Sequence, residues 1–298
     1  MRVGEFASTL LSMATPLAPL DMPLLDSHGA TLSSDVISDG RVVLAEGVRI
    51  RSTQIGLAAT LGLDHLPTRP QPRVVVVALS ENDATTSAAA INSWLLTTAV
   101  KEAGALGYRV LLHGDTTAHT TAQTKAIIED QLVRADLLVL TGDEGDRHFE
   151  DVLAVLNRIG PMESVDVRYL RGGRHAYGAV GPEKTPVLLL PGNPIAAYIS
   201  TEIFVRPMIR QMMGLNEIHR PVIRARLESE LTSPPDYHEF LLATWTRRDG
   251  GDFVRALDDQ ESMVALAEAN ALIAITADDE KKSSGSDVEV ILLERRYI

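Results

Sequence analysis

Between Arg73 and Gly214 short apolar runs alternate with longer amphipathic stretches. RVVVVALS (73–80) is almost continuously β-branched, as suits a strand buried on both faces. A helix is predicted from about Ala84 to Ala105, a strand in YRVLLHGD (108–115), a helix in TAQTKAIIEDQLVRA (121–135) and a strand in DLLVLTGD (136–143). HFEDVLAVLNRIG (148–160) predicts another helix, and TPVLLLPGN (185–193) a buried strand running into a helix over 195–213. This spacing predicts an α/β fold, a parallel sheet with helices on both faces. Ligands of such sheets sit beyond the carboxyl ends of the strands. Those ends are Ser80 to Asp83, Gly114 to Asp115, Thr141 to Asp146 and Pro191 to Pro194.

The flanks have a different texture. Residues 1–72 are weakly patterned: MPLLDSHGATLSSDVIS (22–38) suggests a helix and then an extended piece. RSTQIGLAATLGLDHL (51–66) suggests a helix capped by Ser52 or Thr53 and ending near Gly62, and PTRPQP (67–72) reads as a linker. After Leu215, PVIRARLESEL, HEFLLATWTRR, DFVRALD, ALIAIT and DVEVILLE read as short, partly alternating strands of a small β-barrel or sandwich. ADDEKKSSGSD (277–287) reads as a solvated loop between the last two. The expected domains are therefore 1–72, 73–215 and 216–298.

Composition narrows the functions. Of the 298 residues 45% are hydrophobic and 23% charged, an ordinary balance for a folded chain. Only 4% are aromatic, so the core is built from aliphatic side chains. A formal net charge of −12 opposes non-specific binding to nucleic acid or anionic membranes, and an anionic ligand must be held by local geometry. The lack of cysteine excludes disulfides, thiolate metal sites and cysteine nucleophiles. No apolar run approaches the roughly 20 residues of a membrane span. The start, MRVGEFASTLLSMATPLAPL, reads as a short helix packed on the body of the protein, with a cytoplasmic location expected.

Two turns carry candidate chemistry. In Thr141-Gly142-Asp143-Glu144-Gly145-Asp146 the glycines permit a sharp turn before a helix, and three acids within four residues could bind Mg²⁺. The alternative is that Asp146 caps the helix while the other acids are solvated. In Pro191-Gly192-Asn193-Pro194, Pro194 suits the first helical position and Asn193 the N-cap. Gly192 has no side chain to keep an anion from the N–H groups of Ile195 and Ala196, so this is either an anion site or a well-capped turn. The eight histidines are scattered, with no pair at helical i, i+4 spacing.

LLLPGNPIAAYISTEIFVRPMIRQMMG (188–214) resembles the signature of the molybdopterin molybdotransferases, the MoeA and gephyrin E-domain family. PLLDSHGATLSSDV, DGRVVLAEGVRIRSTQIGLAATLGL, AAINSWLL, LLVLTG, RPVIRARLESEL and EANALIAI are similar to further family segments in the same order. The resemblance implies a MogA-like three-layer parallel-sheet domain, a short N-terminal segment of dimerisation type and a small C-terminal β-barrel-like domain. It implies binding of adenylated molybdopterin, insertion of molybdate with Mg²⁺, and an elongated homodimer. By resemblance Asn92, Ser93, Thr141, Gly142, Asp143 and Pro191, Gly192, Asn193, Pro194 line the ligand cleft, and Asp83 and Asp146 are the catalytic and metal-binding acids. The gephyrin relative further implies a protein partner docked near the junction of the α/β and β domains.

The chain also departs from that family. Between Val36 and Gly40 the family carries an entire extra domain, where SDVISDGRVVL here joins the flanks directly. Ala84 stands at a glutamate position, His148 where the second aspartate of a conserved loop would be, and QESM (260–263) replaces Q-G-S-G. Asp143 replaces a glycine that approaches the ligand, placing negative charge beside a phosphate. An alanine cannot coordinate a divalent ion, so a non-catalytic scaffold that binds a protein is the alternative function.

Overall fold

The computed structural model describes residues 1–80, 86–113, 118–278 and 281–293, with backbone alone for 113, 118–121 and 146. The chain opens with helix α1 (Val3–Met13), whose Val3, Phe6 and Leu10 share one face and are buried. Phe6 meets the rings of Phe204, His175 and Tyr177 edge-on at 4.9, 5.4 and 5.7 Å. Strands β1 (Leu20–Pro23), β2 (Thr31–Leu32), β3 (Val36–Ser38) and β4 (Arg41–Leu44) follow, then α2 (Ser52–Thr60) and β5 (His65–Arg69).

Two expectations for this region need correction. Residues 24–29 form turns rather than a helix. The Ser27 hydroxyl donates to the carbonyls of Met22 and Pro23, and Gly29 (φ +84°) takes a left-handed conformation open to it without a Cβ. The supposed linker at 67–72 holds the end of β5, the middle strand of a β1-β5-β2 sheet. Alternation prevails over the prolines there, because Leu66 and Thr68 are both buried. β3 and β4 make a hairpin whose turn residues Asp39 (φ +49°) and Gly40 (φ +73°) have the signs of a type I′ turn. This tight turn stands where the resembled family carries its extra domain.

The central sheet begins with β6 (Arg73–Ser80), α3 (Ala88–Ala103), β7 (Leu106–His113), α4 (Ala118–Leu132), β8 (Leu137–Thr141) and α5 (Asp146–Leu156). β9 (Glu163–Asp166), β10 (Arg174–Val180) and β11 (Thr185–Leu189) complete it in the order β7-β6-β8-β11-β10-β9. The first four strands are mutually parallel. β10 and β9 extend the sheet antiparallel, beyond the all-parallel expectation. β6 shows why the apolar run was required: Val74 and Val76 pack with α1 and α3, while Val75 and Val77 pack with α4 and α5. Helices therefore cover both faces, giving three layers.

The helix expected over 195–213 is α6 (Pro194–Ser200), a π turn (Thr201–Val205) and α7 (Arg206–Met212). The widened turn lies just before Pro207, which has no N–H to give to the preceding turn. Buried Glu202 in that turn accepts two hydrogen bonds, 2.7 and 3.0 Å, from Arg220 at the entry to the β region.

The last third contains β12 (Val222–Leu227), β13 (Leu231–Thr232), β14 (Glu239–Arg248), β15 (Gly251–Ala256), α8 (Met263–Glu268), β16 (Ala271–Ile275), β17 (Lys281–Lys282) and β18 (Asp287–Leu292). Five of these close a barrel in the order β12-β15-β14-β16-β18, and they are the five apolar runs of the sequence. The stretch read as a solvated loop contains β17, which pairs with β13. α8, which apolar alternation did not signal, starts at Ser262, whose hydroxyl accepts from Val264 N. Among the described residues no helix is long and apolar enough to cross a membrane.

Fully buried His175 on β10 lies between α1 and α6, with Nδ1 3.2 Å from the Gly173 carbonyl and Nε2 2.9 Å from Ser200 Oγ. A carbonyl only accepts, so the proton of the neutral ring sits on Nδ1. Burial pushes its pKa from 6.5 down to about 4. Below pH 6.5 the unfolded chain takes up this proton before the folded one does. The contribution to stability is therefore complete above pH 6.5 and is lost as pH falls towards 4, a change of about 3 kcal/mol. Denaturant unfolding should show wild type losing about that much more stability than His175→Gln between neutral and acid pH. Equal losses would assign the acid sensitivity elsewhere.

Candidate functional site

Strand order locates a crevice. From β6 the chain crosses to β7 on one side and then returns past β6 to β8 on the other, so connections diverge at the carboxyl ends of β6 and β8. At that edge lie the turn after β8 (Gly142–Gly145), the turn after β11 (Pro191–Asn193) and the start of α3.

One buried side chain joins these elements. Asn92 of α3 donates through Nδ2 to Thr141 Oγ1 at 3.1 Å and to the Gly192 carbonyl at 2.7 Å. Thr141 Oγ1 in turn donates to the Pro191 carbonyl at 3.1 Å. Asn92 Oδ1 is buried and accepts no hydrogen bond among the described residues. Asn92, Thr141, Pro191 and Gly192, four residues named from the sequence, thus meet in one network.

The glycines serve packing between loops. A Cβ on Gly192 would lie 2.3 Å from the Asp143 carbonyl oxygen and 2.9 Å from Glu144 N. A Cβ on Gly142 would lie 2.1 Å from the His148 ring, which sits beneath it with Nε2 3.0 Å from the Leu79 carbonyl. Gly192 therefore brings two turns into contact, rather than opening a path to the α6 N–H groups. Those groups are engaged: Asn193 Oδ1 accepts from Ile195 N at 3.0 Å and Ala196 N at 3.1 Å, and Pro194 occupies the first helical position.

Of the acids in the turn after β8, Asp143 is drawn into the fold, whereas Glu144 stays exposed, as the solvated reading expects. Asp143 Oδ1 accepts from Ala89 N at 2.9 Å and Oδ2 from Ser80 Oγ at 3.1 Å. Ser87, the N-cap of α3, accepts from Ala90 N at 3.1 Å, so Ser87 and Asp143 share the first turn of that helix. Glu144 Oε1 accepts from Asn193 Nδ2 at 3.1 Å. α5 is capped by Gly145 without a side-chain bond, and Asp146 is its first residue. The Asp146 side chain and all of Asp83 and Ala84 lie outside what is described. Ser93 is brought elsewhere: it donates to Ala90 O at 2.6 Å and accepts from Arg109 Nε at 2.8 Å. Arg109 also stacks 3.9 Å from the Trp94 ring centroid.

Three cavities surround the Pro191–Pro194 turn. One of about 420 Å³ lies against the start of α3 and is lined by Thr86, Ser87, Ile91, Asp143, Glu144 and Pro194. On the other side, a cavity of about 250 Å³ includes Glu144, Phe149, Arg171, Arg174, Pro191 and Asn193. A third, about 310 Å³, opens between α6 and the barrel beside Tyr169, Arg171, Phe240, Gln260 and Glu261. Arg171, with φ +62°, lies 3.2 Å from Glu239 and 3.8 Å from Glu261. Arg174 pairs with Glu150 and lies over the Phe149 ring. Sequence reading missed both arginines. Their signal was RGGR (171–174), two cations around a Gly pair beside a strand. Among the described residues no three His, Asp or Glu side chains converge as a metal site.

Comparisons with known proteins bear on the family and the fold. A family model, "MoeA C-terminal region (domain IV)", matches residues 224–293, which include most of the barrel. The chain is 31% identical over 276 residues to Molybdopterin molybdenumtransferase 1 of Mycobacterium tuberculosis, covering 88% of this chain and 64% of that protein. It is also 31% identical over 271 residues to Molybdopterin molybdenumtransferase 2 of that organism, covering 87% of this chain and 65% of the relative. The chain therefore spans a little under two thirds of these relatives' length. Among solved structures, a molybdenum cofactor biosynthesis protein from Pyrococcus furiosus aligns with TM-score 0.74 and 20% identity over 98% of this chain and 99% of that one. The molybdopterin biosynthesis MoeA protein of Pyrococcus horikoshii aligns with TM-score 0.80 and 15% identity, covering 99% of this chain and 100% of that one. These structures share the fold.

The contact between the two turns is directly testable. Gly192→Ala should cost about 1–3 kcal/mol of stability, because its methyl meets backbone that cannot rotate away. Urea unfolding of wild type and variant measures the difference. An unchanged midpoint would mean that the turns are not pressed together.

Proposed function

The chain belongs to the MoeA family, and from that premise we propose that it acts in molybdenum cofactor biosynthesis, binding molybdopterin in its adenylated form for molybdate insertion. The observation that carries this reading is the Asn92 network, which gathers α3, the end of β8 and the Pro191–Asn193 turn at the edge where α/β sheets bind ligands. In this reading Asn92, Thr141, Gly142 and Pro191 to Pro194 form the cleft wall, Asp143 contributes at α3, and Ser93 supports the wall through Arg109. The pterin lies across the turn, and its phosphoryl groups face the cavity that holds Arg171 and Arg174.

Mg²⁺ enters this reading only through Asp83 and Asp146, because no other described residues make an oxygen cage. No step is assigned to it. The location proposed is cytoplasmic and the assembly a homodimer.

Calorimetry on the full chain should give saturable binding of molybdopterin, weakened at least about tenfold by Asn92→Ala, which leaves two polar partners unpaired. No heat with molybdopterin or its adenylated form, with Mg²⁺ present, would reject the reading. Growth of a strain lacking molybdotransferase, restored by this chain, would show that turnover survives Ala84 and the missing domain.

The cavity between α6 and the barrel favours a second reading, a scaffold that holds a protein partner against Tyr169, Phe240 and Gln260. Rescue of the deficient strain with no partner retained in a pull-down would reject it.

A further inference from the structure

We propose that Asp143 is a specificity-determining residue. Its carboxylate holds the position at the N-terminus of α3 that a phosphoryl group would otherwise take, so the cleft receives the phosphate-free part of its ligand there. For the identity of the ligand this rests on the pterin reading above. The inference itself concerns which end of the ligand α3 accepts.

Three observations carry it. First, α3 runs for 16 residues and its first turn offers N–H groups and a positive dipole end, the usual reception for an oxyanion. Here Ala89 N is bonded to Asp143 Oδ1 and Ala90 N to Ser87 Oγ, while Asp143 Oδ2 accepts from Ser80 Oγ. A carboxylate from β8's turn thus makes the contacts that a phosphoryl oxygen would make.

Second, the backbone that carries the carboxylate is held in place. Its carbonyl is pressed against Gly192, where even a methyl would come within 2.3 Å. The Pro191–Asn193 turn behind it is fixed in turn by Asn92 and by the Asn193 cap. Displacing that backbone would require both turns to move.

Third, the described residues lining the 420 Å³ cavity include Asp143 and Glu144 and no lysine or arginine. An added phosphoryl group would meet the negative charge of Asp143, with no lysine or arginine among the described lining residues. The arginines lie on the opposite side of the turn, in the cavity lined by Arg171 and Arg174. Glu144 borders both cavities, whereas Asp143 lines only the one at α3 and the two arginines only the one beyond Gly192, so charge is graded across the turn. The ligand's orientation follows.

The test uses inorganic pyrophosphate as the probe and the backbone amides of Ala89 and Ala90 as the reporters, read by NMR on the full chain. In wild type these amides should not titrate. In Asp143→Asn, which keeps the side chain's shape but not its charge, and in Asp143→Gly, which empties the position, they should titrate. The apparent affinity at α3 should then be at least about tenfold tighter than any wild-type limit. Thermal melting identifies folded variants, and Asp143→Asn carries the test if the glycine variant does not fold. Titration of Ala89 in wild type with the affinity of the variants would overturn the proposal. So would folded variants in which neither amide responds. Failure of wild type to bind molybdopterin would reject the pterin reading and leave the pyrophosphate result standing, so the two failures are distinguishable.

Discussion

The cleft depends on a lack of space. Gly192 and the Asp143 carbonyl are close enough that no other L-residue fits at 192 without displacing backbone. This contact makes the turns after β8 and β11 a single body, and Asn92 anchors that body to α3 through two hydrogen bonds. Each of the three elements enters the edge from a different part of the chain. The parallel sheet brings their starting points near one another, but only the glycine contact and the amide fix their mutual position. The rigidity that results lets an ordinary carboxylate act as a fixed ligand of a helix end.

The electrostatics of the cleft are internal before they are external. Helix starts at such an edge usually attract anions from solution. In this chain the start of α3 is met by Asp143 and Ser87, and that of α6 by Asn193. Glu144 binds the same asparagine from the other side. A protein with net charge −12 thus places some of its negative charge where it satisfies its own backbone. The positive groups near the cleft, Arg171 and Arg174, are held by nearby carboxylates, so the field around the turn is structured on a scale of a few ångströms.

Much of the fold was legible because it rests on patterns that survive without context. The unbroken β-branched run of β6 needs two covered faces, and the structure supplies helices on both. The five apolar runs after Leu215 became the five barrel strands. Less legible was whatever depended on distant partners. Pro67 disguised β5 as a linker, because the buried alternation of Leu66 and Thr68 gains meaning only beside β1 and β2. β9 and β10 carry Gly and charged residues, and their strand character comes from pairing with β11. At the cleft, Asn92, Thr141 and the Pro191–Pro194 turn could be named from the resemblance, since such motifs keep residue types in order. That Ser93 faces Arg109, and that Asp143 reaches α3, are matters of side-chain direction. Spacing along a chain does not encode that.

The β3–β4 hairpin has a bearing on how this architecture tolerates gain and loss of whole modules. Ser38 and Arg41 are direct antiparallel partners, so chain leaves and re-enters the body at adjacent points, and only Asp39 and Gly40 span them. A self-folding unit whose own ends lie close together could be spliced between them without pulling the flanking strands apart. Excising such a unit likewise leaves a gap that a two-residue reverse turn can bridge. The hairpin is thus a natural splice point for chimeras, where a foreign module can be grafted while β1, β2 and β5 remain undisturbed.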